Sequence, residues 1–100
     1  MNHSTTPDLY GTRPLGRLGK GACAEIAALD ESGIQTTLPK GELERRLIEM
    51  GFVEGARVEI LHEGFPKRDP IAVRVADHTV ALRRAEADAV LVKCLTAKAG

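Results

Sequence analysis

Five short stretches of this chain alternate apolar and polar side chains, and that period of two is what most limits the folds open to it. In Ala22–Leu29, residues Ala24, Ile26 and Ala28 share one face before Asp30-Glu31-Ser32-Gly33 breaks the run. Val58 and Ile60 alternate with Arg57 and Glu59, Ile71, Val73 and Val75 with Arg74, and Val80 and Leu82 with Thr79 and Ala81. Val90–Leu95 reads as the last strand. Each run buries one face and wets the other, as antiparallel strands do.

One segment keeps helical spacing instead. Leu43, Leu47 and Met50 fall at i, i+4 and i+7 with Ile48 beside them, and Glu42, Glu44, Arg45, Arg46 and Glu49 cover the remaining surface. Gly51 follows the last periodic residue, where a left-handed cap costs glycine least, and Phe52 is placed to pack back on the final turn. A second, very short helical turn is expected at Arg84–Asp88, where alanine favours helix over strand. With so few crossovers a doubly wound sheet is excluded. The expected fold is mainly β: a small SH3-like barrel of five to six strands with one inserted amphipathic helix and a short helical turn before the last strand.

A chain of 100 residues holds one such domain. We place it at residues 17–95, after a Ser/Thr/Pro/Gly-rich flexible lead-in over 1–16 and before a disordered tail over 96–100. Lys+Arg 14 against Asp+Glu 14 cancels to a net charge of +0, and only Tyr10, Phe52 and Phe65 are aromatic. A nucleic-acid binder would want a basic face and stacking platforms, so no nucleic-acid partner is expected. No secretory signal and no run of 18 apolar residues is present, so we expect a cytoplasmic protein with no direct membrane insertion. No nucleophile-base motif, Walker loop or His-Glu-x-x-His spacing occurs, and the expectation is a non-enzyme with no catalytic residues.

The run from Arg45 to Leu61 combines an Arg-rich helix, a Met-Gly-Phe stop, a Gly turn and an alternating strand. With Asp69-Pro70-Ile71-Ala72-Val73-Arg74-Val75 and Val80-Ala81-Leu82-Arg83-Arg84-Ala85-Glu86-Ala87 following in order, it resembles the ferrous iron transport protein A (FeoA) family from about Leu18 to Val92. The resemblance implies an SH3-like barrel acting as a small cytosolic accessory of a membrane ferrous-iron transporter, the GTP-binding FeoB protein. Related modules form the C-terminal part of metal-dependent repressors. The chain departs from the family at Arg68, where glycine often precedes Asp-Pro, and in its longer lead-in.

Two site readings follow. The loop Glu63–Pro70 carries Phe65, Pro66, Lys67, Arg68 and Asp69, and two prolines stiffen it. Phe65 either docks on a partner or folds back on the barrel rim; Arg45 and Arg46 are secondary partner-binding candidates on the helix. The alternative function is a metal-sensing regulatory module binding a divalent transition metal itself, with His62, Glu63, Asp77 and His78 as its candidates. In an antiparallel meander His62 and His78 lie at opposite ends, roughly 15 to 20 Å apart, so only a contact between chains could join them on one ion. No cofactor is required; Fe2+ held weakly or between molecules, and a homo-oligomer, remain open. Cys23 and Cys94 are read as small reduced thiols, buried or half-buried, on opposite faces of the sheet.

Overall fold

The computed structural model describes residues 11–95. The expected tail over 96–100, and the lead-in as far as residue 10, lie outside the described residues. In chain order the elements are β1 (Arg13–Pro14), a 3-10 turn (Leu15–Arg17), β2 (Cys23–Leu29), α1 (Glu42–Glu49), β3 (Arg57–Glu63), β4 (Ile71–Val75), β5 (His78–Leu82), α2 (Arg84–Ala87) and β6 (Val90–Cys94). The six strands form one antiparallel sheet in the order β1-β6-β2-β3-β4-β5. This is the expected mainly β architecture, with the helix and the short turn where the sequence put them. The hydrogen-bonded ladder itself is open, with β1 and β5 as its edges. β1 has only two residues, one of them a proline without an N–H, so it cannot extend the ladder to β5.

The inward face is apolar throughout. Ala24, Ile26, Val58, Ile60, Ile71, Val73, Val75, Val90 and Val92 bury between the curled sheet and Leu43, Leu47 and Phe52. Leu15 is fully buried in the same cluster, and β1 pairs with β6 as Arg13↔Val92 and Pro14↔Leu91. The domain therefore starts by Arg13 rather than at residue 17: the chain before Leu18 supplies an edge strand and a core side chain. Two bulges break the expected alternation. Between Ile26 and Ala28 the pairing of β2 with β6 shifts, so Ala28 leaves the inward face and Leu29, opposite buried Val90, packs on the core instead. Between Ile60 and His62 the pairing of β3 with β4 shifts likewise, which turns His62 outward and Glu63 inward.

α1 is closed at both ends. Its C-terminus is a Schellman cap: Gly51 takes φ 106°, its N–H donates to Ile48 O (2.9 Å), and the Phe52 N–H donates to Leu47 O (2.9 Å). Phe52 is fully buried, whereas Met50 is only partly so and Ile48 is 50% exposed. The N-cap position is Gly41, which offers no side chain. Glu31 supplies the acceptors from the preceding loop, taking the N–H groups of Gly41 and Glu44, while Glu44 returns a bond to the Glu31 N–H at 3.0 Å.

A Cβ at Gly51 would meet Ala76 and Val75 at an ordinary 3.5 Å, so conformation and not space restricts this position. Gly51→Val is expected to lower unfolding free energy by at least about 1 kcal/mol, read from the urea midpoint at unchanged slope.

Candidate functional site

The chain between β3 and β4 turns back on itself at Gly64, whose N–H donates to Pro70 O at 2.7 Å. A Cβ there would come within 2.6 Å of Asp69 O, so only glycine lets the base of the loop close this tightly. The peptide bonds Phe65-Pro66 and Asp69-Pro70 are cis. Phe65 stands at the tip, 93% exposed, which overturns the reading in which it packs on the rim. Pro66, Lys67 and Arg68 are exposed beside it and Asp69 is half-buried. Arg68 adopts φ 63°, the left-handed region that glycine occupies freely, at the position where the resemblance led us to expect glycine.

Arg84, at the start of α2, braces this loop. Its Nε donates to Arg68 O (2.7 Å) and its backbone N–H to Asp69 Oδ1 (2.8 Å). Nη1 donates to Gly16 O (2.9 Å) and Leu18 O (2.7 Å), and Nη2 pairs with Glu63 Oε2 at 2.8 Å. The bulge in β3 is what aims Glu63 at this guanidinium. Gly16 closes the arrangement, because a Cβ on it would fall 2.2 Å from Arg84 O and 2.3 Å from Asp88 Oδ1. That Asp88 oxygen is buried without a hydrogen-bond partner, with Arg17 Nε at 3.9 Å. The loop is thus held at both shoulders while its tip is free, so little ordering cost remains for a partner that grips Phe65. Sequence reading missed Arg84, which there was one residue of a helical turn.

The other candidates lie elsewhere. Arg45 pairs with Glu42 and Glu49, and Arg46 with Glu42 at 3.3 Å, along the surface of α1. The hydrogen bond from Arg45, joined by Arg46, holds the Glu42 carboxyl below the ordinary glutamate range. The C-terminus of α1 meets the start of β5, where His78 Nε2 donates to Met50 O at 2.9 Å. The loop lies at the opposite end of the β3–β4–β5 meander, so the helix arginines and the loop do not form one patch.

His62 faces Ala72 and His78 faces Val75, which puts the two residues at opposite ends of the meander, their backbone positions about 14 Å apart from three residues of strand rise and two strand spacings together. Glu63 is spent on Arg84, and Asp77 sits in the turn before His78. Among the described residues no three His, Cys, Asp or Glu side chains come together as a metal site. Ala24 faces Cys94, and the Leu95 N–H donates to Cys23 O at 2.9 Å. The thiols are therefore neighbours in adjacent strands but out of phase; Cys23 is half-buried and Cys94, contrary to expectation, exposed. On the outer face an open groove of about 390 Å³ runs past Cys23, Arg57, Glu59 and Arg74, with Glu59 directly opposite Arg74. No helix among the described residues is long and apolar enough to cross a membrane.

A curled six-stranded antiparallel sheet with a helix inserted after its second strand and a braced loop at its rim defines a small SH3-like module. The FeoA domain model matches residues 13–94, and the chain belongs to the FeoA domain family. An Fe(2+) transport protein A/Fe(2+) transporter FeoB fusion protein from Porphyromonas gingivalis is 32% identical over 76% of the chain, which spans only 9% of that protein's length. The zinc complex of Stenotrophomonas maltophilia FeoA, described as an SH3 domain protein, is 30% identical and superposes with a TM-score of 0.62 over 79% of this chain and 87% of that one. A FeoA-like protein from Clostridium acetobutylicum shares the fold at 23% identity, with a TM-score of 0.73 over 90% and 94%.

Arg84→Ala leaves Glu63 and three carbonyls without their donor, and we expect a loss of about 3 kcal/mol with faster amide exchange in residues 64–69. Arg68→Gly relieves the left-handed arginine and should raise stability by about 0.5 to 1 kcal/mol, net of the freedom glycine gains when unfolded. The depressed Glu42 carboxyl favours the folded state above the ordinary glutamate range, and that contribution is lost as pH falls through its folded value. Carboxyl NMR titration should find Glu42 titrating low and returning toward the ordinary value in Arg45→Ala.

Proposed function

We propose that this protein is a non-enzymatic cytoplasmic accessory of ferrous iron uptake that binds the cytosolic part of a FeoB-type transporter and modulates it. The observation that carries the reading is Phe65, almost fully exposed on a loop fixed at both shoulders by Arg84. An apolar ring flanked by Pro66, Lys67 and Arg68 offers a rigid anchor with a cationic rim, the kind of group that concentrates binding energy when a partner pocket desolvates it. Family membership supports the iron-uptake context. The covalent joining of FeoA and FeoB in the P. gingivalis relative supports the choice of partner. The relative from S. maltophilia, suggested to be a ferrous iron transport activating factor, supports a stimulating role. In this reading iron is the transporter's cargo, and Arg45 and Arg46 serve α1.

The test is retention of the chain on the immobilised soluble domain of the FeoB-type transporter from the same organism. Phe65→Ala combined with Arg68→Ala should cut retention about tenfold, because the brace takes only the backbone carbonyl of Arg68. Equal retention of both proteins would remove the loop from the interface.

A second reading, a metal-sensing module, draws on the zinc held by the S. maltophilia relative. Anaerobic titration calorimetry with ferrous ion separates the two. Micromolar binding abolished by His62→Ala or by His78→Ala would favour the sensor over the adaptor.

A further inference from the structure

The sheet has two edges, and they are treated differently. β1 is two residues long and ends in Pro14, a blunted edge that offers little to a passing strand. β5 runs for five residues, His78–Leu82, with no proline, lysine or carboxylate among them. It pairs with β4 in unbroken register, whereas both β2 with β6 and β3 with β4 carry a bulge. A two-residue turn, Ala76-Asp77, closes the β4–β5 hairpin at the pair Val75↔His78. Antiparallel alternation then spends the backbone groups of His78, Val80 and Leu82 on β4 and turns those of Thr79 and Ala81 outward. Both residues are exposed and no described strand lies beyond them.

We propose that β5 pairs with β5 of a second copy of this chain, antiparallel about a two-fold axis at Val80. The argument for a second copy is the self-complementarity of the edge. When Val80 faces itself, Thr79 faces Ala81 of the second copy, and the two such pairs exchange four backbone hydrogen bonds. In the same register Asp77 faces Arg83 of the second copy, twice over. Both side chains are exposed, and among the described residues neither has an ion pair. A shift of two residues would set Asp77 against Ala81 and lose both charge pairs, so the charges also fix the register. The ladder ends at Arg83, whose N–H goes to Glu86 Oε1 (3.1 Å) and whose carbonyl takes the N–H groups of Glu86 and Ala87. An interface this short falls at the small end of specific contacts, and the dimer assembles at high concentration.

Sedimentation equilibrium of the full chain at low salt, from ~10 μM to ~1 mM, should show the average mass climbing from one copy toward two. Ala81→Pro deletes an outward N–H without touching the β4 ladder, and should weaken association at least tenfold. Asp77→Arg and Arg83→Asp should each weaken it several-fold, and the two together should restore it. A monomer at every concentration overturns the proposal. So does wild-type association in Ala81→Pro, or a charge-exchanged double variant no stronger than the single ones.

Discussion

The Arg84 guanidinium is the contact on which the rest of the rim depends. Its forked donors reach segments that are distant in sequence: the 3-10 turn through Gly16 and Leu18, the end of β3 through Glu63, and the loop through Arg68. Without it the part-buried carbonyls of Gly16 and Leu18 and the carboxylate of Glu63 would lose their donor, a cost comparable to several hydrogen bonds. A lysine could satisfy one or two of them but not the planar set, so charge alone is no substitute. α2, only four residues long, is best understood as the device that delivers this side chain. Arg83 stays extended at its N-cap, Glu86 reaches back to the Arg83 N–H, and Arg84 becomes the first helical residue, its side chain directed at the 3-10 turn, Glu63 and the loop.

Features governed by local chemistry were legible in the sequence. The runs of period two became strands, and Gly51-Phe52 became a Schellman cap because steric rules for φ and the reach of two backbone bonds decide it within a few residues. Features decided by register were not. A single extra residue at each bulge exchanges the two faces of a strand, which takes Ala28 off the inward face in favour of Leu29 and trades His62 for Glu63. No periodicity within β2 or β3 announces where the partner strand slips. The role of Leu15 escaped for a related reason: its neighbours Gly11, Pro14 and Gly16 read as breakers, while its burial comes from α2 and β6, far along the chain, against which the 3-10 turn packs. Of the candidate site, the loop and its apolar tip were visible, and the residue that makes the loop rigid was not.

The inserted helix shows the same division. Its apolar stripe and its stop are written in its own residues, but its start is not, since Gly41 brings no acceptor and Glu31 provides it from the loop after β2. α1 and the segment before it therefore form one cooperative unit, anchored at the far end by His78 on the Met50 carbonyl. Arg45 and Arg46 belong to that unit, paired with Glu42 and Glu49 on its surface, and lie away from the rim loop.

β1 and β6 run side by side in opposite directions, with Arg13 across from Val92. The polypeptide thus comes into the module and departs from it at a single doorway, on the blunted side of the sheet. A module wired this way can be spliced into a longer polypeptide with little rearrangement of its interior, leaving the rim and the far strand unencumbered, an arrangement compatible with the covalent tandem seen in the P. gingivalis relative.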